Sequence, residues 1–243
     1  MRVTRIHVDR PLAPGLRLSL PEEAAAYLTR VLRLQPGDGC ALVNGDGHDY
    51  EAILLAAGKR GVEVEVRAAT PVDNESPLRI TLLQGIARGE KMDWILQKAT
   101  ELGVAAFVPV SSERSEVRLD DARAGKRLAH WQGVVAAACG QCGRARVPAV
   151  DAPRPLAEAL PSLPQGPRFL LDPLAADGVA SLPVLAGGCV LAVGPEGGWS
   201  PRDRAQLAEA GFEGLRLGPR ILRTETAGIA AISALQARFG DLS

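Results

Sequence analysis

Leu191-Ala-Val-Gly-Pro-Glu-Gly-Gly-Trp-Ser200, followed at a short distance by Leu217-Gly-Pro-Arg-Ile-Leu-Arg-Thr-Glu-Thr-Ala227, decides the fold. Each stretch runs from an apolar segment into a glycine and then into residues that open a helix. Loops of this kind at the carboxyl ends of neighbouring strands enclose a crevice, and open α/β sheets bind their ligands in that crevice. The pair therefore predicts an α/β enzyme built around a nucleotide-sized ligand.

The first loop is not a dinucleotide fingerprint. Gly194-Pro-Glu-Gly-Gly198 lacks the G-x-G-x-x-G spacing, and Pro195 removes an N–H that a phosphate cradle would use. Its glycines allow close approach of backbone to a ligand. Glu196, a carboxylate among glycines and apolar residues, suits a hydroxyl or a cation. A tight strand-to-helix turn with no ligand is the alternative. In the second loop, Thr224 or Thr226 with Glu225 forms an ordinary helix cap. Capping leaves Arg223 unexplained, because a cation is disfavoured at the positive end of a helix. A nearby anion, a nucleic-acid phosphate or Glu225 itself, would compensate it.

Working back from these loops, strand and helix patterns alternate. Leu78–Leu83, Ala105–Val110, Val147–Val150, Phe169–Leu171, Val190–Val193 and Leu215–Leu217 read as strands. Helices are predicted over Met92–Leu102, stopped by Gly103, over Asp121–Ala138 and over Leu156–Leu160. Another opens at Ser200-Pro-Arg-Asp203, with Ser at the N-cap and Asp at the third position. A last one runs from Thr224 or Thr226 to Phe239. This order predicts an α/β domain with a mostly parallel sheet covered by helices. The last helix carries Ala227, Ile229, Ala230, Ala231, Ile232, Ala234 and Leu235 and is apolar nearly all round. It belongs either in the interior of one subunit or in a dimer interface.

The first seventy or so residues read differently. Val62, Val64 and Val66 alternate with polar residues, as in a half-buried strand. Asn44-Gly-Asp-Gly47 between two apolar runs is a hairpin signal, Pro36-Gly-Asp-Gly39 a further turn, and Glu22–Arg33 a helix. A small β-barrel-like domain is expected there. Thr70–Pro77, with two prolines among polar residues, reads as a linker, which predicts domains over 1–71 and 72–243.

Composition narrows the function. With 47% apolar residues in 243, the chain can build a sizeable core, and 28 basic against 28 acidic residues argue against a protein that coats long stretches of nucleic acid. A local basic patch remains open: Arg2, Arg5, Arg10, Arg17, Arg30 and Arg33 face only Asp9, Glu22 and Glu23 within residues 1–35. No signal-peptide core follows Met1 and no stretch nears the ~18 apolar residues of a membrane span, so a cytoplasmic protein with reduced thiols is expected. Cys139-Gly-Gln-Cys142 ends a helix and lacks a second Cys/His pair, so no metal is expected; Gln141 and Arg144 of that loop are better candidates for polar contacts. Arg88-Gly-Glu-Lys91, after the first strand of the sheet, is either a solvated loop or a substrate contact. A Gly-x-Ser-x-Gly elbow, a Walker lysine loop and a His-Glu-x-x-His helix do not occur, which removes the usual support for hydrolase, kinase and metalloprotease readings.

Taken together, Arg30-Val-Leu-Arg33, Arg88-Gly-Glu-Lys-Met92, Gln97-Lys98 with Glu101-Leu-Gly103, Gln141-Cys-Gly-Arg144 and the two glycine loops resemble the bacterial ribosomal RNA small subunit methyltransferase E family, nearly end to end. The resemblance implies transfer of a methyl group from S-adenosyl-L-methionine to N3 of a uridine in 16S ribosomal RNA, with the RNA expected as part of the 30S subunit. It implies a PUA-like RNA-binding barrel followed by a SPOUT domain with a deep trefoil knot, in a homodimer. Two positions depart from the family pattern: Gly140 stands where relatives often have Glu, and Ser115 where some have Cys.

By the same resemblance, the cofactor is held by Gly194, Pro195, Glu196, Gly197, Gly198, Leu217, Gly218, Ile221, Leu222, Thr224, Thr226 and Ala227, with a third loop after Leu171 closing the site. Arg223 is expected to orient the base or stabilise its anion, and Glu225 to accept the N3 proton. Arg10, Arg30, Arg33, Arg88, Lys91, Gln141 and Arg144 are the expected RNA contacts. Two rivals stay open: a SPOUT enzyme acting on another base or a ribose 2′-oxygen, and a non-catalytic RNA-binding assembly factor.

Overall fold

The computed structural model describes residues 4–58, 61–115 and 121–242, so Arg2 of the N-terminal basic group lies outside the described residues. The chain divides into two compact units, one of residues 1–75 with 136–147, the other of 76–135 with 148–243.

The first unit is a five-stranded sheet in the order β1-β3-β4-β5-β2. These strands are β1 Arg5–His7, β2 Arg17–Ser19, β3 Gly39–Val43, β4 His48–Gly58 and β5 Gly61–Pro71. Among the described residues, the β1–β3 pair is parallel and the other pairs of this sheet are antiparallel. The predicted alternation holds: Val62, Val64 and Val66 are fully inside, with Leu18, Leu28, Leu42 and Leu54. The Asn44–Gly47 hairpin turn joins β3 to β4 as expected. The predicted Glu22–Arg33 helix is shorter and irregular. An α-helical start, α1 (Glu22–Ala26), passes into a wider π-type turn over Tyr27–Val31, and Arg33 beyond it has φ +57°. The predicted linker begins later than expected, because β5 continues to Pro71. It is also anchored: Glu75 pairs with Arg144.

In the second unit, β6 (Arg79–Gly85), β7 (Ala106–Ser111), β8 (Ala149–Val150), β9 (Arg154–Pro155), β10 (Arg168–Leu171), β11 (Gly188–Val193) and β12 (Glu213–Leu215) form one parallel sheet. Its order is β12-β10-β11-β6-β7-β8, with β9 also on β7. The central strands β6 and β11 are buried on both faces, which is why they read as unbroken apolar runs rather than as alternating ones. Helices α2 (Glu90–Glu101), α3 (Asp121–Cys142), α4 (Leu156–Ala159), α5 (Pro201–Glu209) and α6 (Thr224–Phe239) accompany them. The last residues of α3, from 136, group with the first unit.

Most predicted elements of this unit are present, within a few residues. Gly103, φ +82°, follows the end of α2 in the left-handed conformation expected of it. The last strand ends at Leu215 instead of reaching Leu217. The two-residue β9 was not anticipated. Helix α6 packs on α2 and β11. Gly228, Ala231, Ile232, Leu235 and Gln236 are buried, whereas Ile229, Ala230 and Ala234 are only half-buried. Gln236 ties the helix down: its Oε1 accepts from the Ser76 hydroxyl at 2.6 Å and its Nε2 donates to the Leu102 carbonyl at 3.1 Å.

Candidate functional site

The carboxyl ends of β10, β11 and β12 and the first turn of α6 surround a cavity of about 480 Å³. Both glycine loops line it, as the strand–loop–helix reading requires. Of the expected cofactor residues, Leu171, Gly194, Pro195, Glu196, Gly198, Leu217, Ile221, Leu222, Thr224 and Ala227 are at its wall. Gly197, Gly218 and Thr226 are in the same loops but outside the lining.

The first loop is a tight turn. The Gly198 N–H donates to the Pro195 carbonyl at 2.8 Å, and Gly198 adopts φ +66°. Its far end is fixed at the predicted N-cap Ser200, which forms a reciprocal capping box with Asp203. Ser200 Oγ accepts the Asp203 N–H and the Asp203 carboxylate accepts the Ser200 N–H, both at 3.0 Å. Glu196 Oε1 accepts from the Arg88 backbone N–H and from Lys91 Nζ, each at 3.2 Å. Burial alone would raise the Glu196 acid, but bonds from its own backbone N–H, from Arg88 and from Lys91 outweigh burial and hold it below the usual range. Within the protein, Glu196 has Lys91 as its cationic partner. Lys91, expected as an RNA contact, is thus a wall residue of the cavity.

Sequence reading missed Asp172, Pro173, Val193, Trp199, Arg204, Leu215 and Arg220, all in the wall. Asp172 belongs to the anticipated third loop, and Arg204 to α5. They pair at 2.5 Å, while the other Asp172 oxygen accepts the Leu174 N–H at 3.0 Å. Burial pushes the Asp172 acid up, and these two bonds bring it below the ordinary range. Trp199 is 4% exposed, and its indole N–H is buried without a partner. A buried, unsatisfied donor beside a cavity is a ready contact for a ligand acceptor. The signal for Asp172 and Arg204 was absent from local pattern, because they lie in separate segments that only the β10–β11 pairing brings together.

Arg223 lines the cavity and is exposed. It occupies the N-cap position of α6, without a side-chain cap. This corrects the capping expectation. Thr224 begins the helix, and its hydroxyl donates instead to the Gly194 carbonyl at 2.6 Å, joining the second loop to the first. Glu225, in the first turn, does not line the cavity, and its Oε2 is buried with no hydrogen-bond partner.

The remaining expected RNA contacts divide. Arg10, Arg30, Arg33, Arg88 and Gln141 are exposed. Arg144 is 5% exposed, and its guanidinium grips Glu75 through two bonds at 3.0 and 2.5 Å. Its charge is spent on that carboxylate rather than presented at the surface. Among the described residues, no group of three His, Cys, Asp or Glu side chains is arranged to hold a metal ion, and no helix is long and apolar enough to cross a membrane. The Cys139 thiol is buried, which pushes it up to about 12.

Comparison with known proteins agrees with this architecture. The family profile described as an RNA methyltransferase domain matches residues 74–236, and that of an RNA methyltransferase PUA domain matches residues 20–67. Ribosomal RNA small subunit methyltransferase E of Buchnera aphidicola subsp. Schizaphis graminum is 33% identical, over 100% of this chain and 99% of its own length. The crystal structure of a ribosomal RNA small subunit methyltransferase E from Neisseria gonorrhoeae bound to S-adenosyl methionine is 41% identical, with TM-score 0.90 and full coverage of both chains. A Legionella pneumophila structure in complex with the bound cofactor SAM is 36% identical, with TM-score 0.93 and full coverage. With a PUA-like sheet, an α/β domain carrying both glycine loops, and identity spread over its whole length, the chain belongs to the ribosomal RNA small subunit methyltransferase E family.

Proposed function

We propose that this protein methylates N3 of a uridine in 16S ribosomal RNA, using S-adenosylmethionine, with the 30S subunit as substrate. The observation that carries the reading is the cavity between the two glycine loops, in a chain 41% identical throughout to a relative solved with S-adenosyl methionine bound. The residues fit that cofactor. A volume of about 480 Å³ falls in the small-molecule range of roughly 300–1,000 Å³. Val193, Leu215, Leu217 and Leu222 supply apolar wall for an adenine. The Trp199 N–H is an unused donor. Glu196 and Asp172 add polar groups to the wall, paired there with Lys91 and Arg204.

When bound, the cofactor supplies an activated methyl group, so the protein's own work is positioning and charge control. Arg223, at the cavity wall, is proposed to hold the uracil and stabilise the anion left when N3 loses its proton. Glu225, the residue after Thr224 and behind the cavity lining, has an unbonded oxygen and is proposed to take that proton. Arg10, Arg30 and Arg33 would contact phosphates from a barrel-like domain of residues 1–71, and Arg88 from the methyltransferase domain of residues 72–243. The target base has to leave its stack for N3 to be reached.

The reading extends to a cytoplasmic homodimer and to a SPOUT domain with a trefoil knot. The out-of-sequence strand order, in which β12 returns to the outer side of β10 before α6 begins, supports the knot. The half-buried Ile229, Ala230 and Ala234 on α6 support a subunit contact. Incubating undermodified 30S subunits with labelled cofactor and mapping the product nucleoside by mass spectrometry tests the central claim. N3-methyluridine is expected; label on a ribose or another base would overturn the assignment.

A further inference from the structure

We propose that Gln84 is a positioning residue of the cofactor cavity, acting through the Thr224 hydroxyl on the carbonyl of Gly194. The proposal rests on the methyl-transfer reading above. Gln84 lies at the end of β6 and is completely buried. Its Nε2 donates to the Gly85 carbonyl at 2.8 Å and to Thr224 Oγ1 at 3.1 Å. The Thr224 hydroxyl in turn donates to the Gly194 carbonyl at 2.6 Å. Three separate elements are thereby joined: the end of β6, the loop after β11 and the first turn of α6. Thr224 and Gly194 line the cavity.

The relay has a direction. A hydroxyl has one hydrogen, and here it goes to Gly194, so the Thr224 oxygen is left to accept. The amide N–H of Gln84 satisfies it. An apolar side chain at position 84 leaves that oxygen without a donor and frees the hydroxyl to turn.

Steric contact fixes the same spacing from the other side. A Cβ added to Gly85 would fall 2.5 Å from Pro195 Cδ and 2.6 Å from its nitrogen, so β6 and the loop already touch through their backbones. The loop cannot approach β6 further, and the relay keeps it from moving away. Nor does the amide serve stability alone. Gln84 Oε1 is buried with no partner, and an unsatisfied buried oxygen is destabilising. The amide therefore carries a stability cost at Oε1 alongside the two bonds made by its Nε2.

The test compares Gln84→Leu, Thr224→Val, the two combined, and Thr224→Ser. Cofactor Kd is read by calorimetry, kcat and KM on undermodified 30S subunits, and melting temperature alongside. Each of the first two should weaken cofactor binding or lower kcat/KM about tenfold, the scale of one buried hydrogen bond. The double variant should be no worse than the more damaging single one, since both break one relay. Thr224→Ser should recover most of what Thr224→Val loses. Additive losses in the double variant would overturn the proposal. So would a Gln84→Leu protein that melts earlier yet keeps wild-type Kd, kcat and KM. If Gln84→Leu does not fold, Gln84→Met takes its place in the same comparison. A wild-type protein that binds no S-adenosylmethionine would sink the functional reading and this proposal with it, an outcome visible before any variant is made.

Discussion

Glu225 carries a buried oxygen with no hydrogen-bond partner, a costly state for a polar atom unless something it meets in function satisfies it. Replacing it with Gln keeps the shape and removes the basic oxygen. Glu225→Gln should lower kcat by about 10²–10⁴-fold, the usual contribution of general acid–base catalysis, with cofactor Kd unchanged. Full turnover by that variant would end the proton-acceptor assignment. Arg223→Ala should likewise lower kcat while calorimetry still detects normal cofactor binding, because the guanidinium is at the wall without capping its helix. Glu196 gives a pH prediction. Its folded acid is held below the ordinary value of 4.5, so its latch to Lys91 and Arg88 is fully formed above that value and is lost as pH falls through the lower, folded one. Cofactor affinity measured against pH should show this acid-side weakening. Glu196→Gln should bind a few-fold less tightly at neutral pH, about 1 kcal/mol or less for a partly exposed pair, and lack the acid step.

At the scale of elements, the first glycine loop holds two devices of different kinds. Gly198, φ +66°, has nothing within 4 Å of an added Cβ, so Gly198→Ala meets no clash and costs only the left-handed conformation, about 1–2 kcal/mol. Ser200→Ala removes half of the α5 capping box at about 1 kcal/mol. Thermal melts should show each as a loss of a few degrees, and Gly198→Ala alone should also weaken cofactor binding, because only Gly198 lines the cavity. These devices were legible in the sequence because each is local: a cap, a turn glycine, a strand that stops at a glycine. The existence and type of most elements in the α/β unit were legible for the same reason. Relations between distant segments were not. The order β12-β10-β11-β6 depends on which strands pair, and Asp172 meets Arg204 only as a result. Thr224 looked like a helix cap because its natural alternative partner, the Gly194 carbonyl, is thirty residues away. Arg144 looked like a surface contact because nothing local announces Glu75.

At the scale of the whole molecule, the proposed division of labour separates two measurements. Arg30 and Arg33 belong to the first unit and are exposed, whereas every cavity residue belongs to the second. Arg30→Glu with Arg33→Glu should weaken binding to 30S subunits and flatten its salt dependence by about one unit of slope per lost phosphate contact, leaving cofactor Kd alone. Unchanged affinity across a salt titration would remove this face from the RNA contact. The bond from Ser76 to Gln236 carries a different consequence. It closes a circuit of 160 residues, and Gln236 also reaches back to Leu102. Contacts so far apart along a polypeptide carry a closure entropy that local turns avoid, and chains rich in them fold slowly. Every strand of the sheet precedes α6, so during vectorial synthesis the strands can pair while the cavity still lacks the wall formed by Thr224 and Ala227. The nascent enzyme would then pass through an interval in which it is already folded around its sheet and still unable to hold a methyl donor, with catalytic competence the final product of its own maturation.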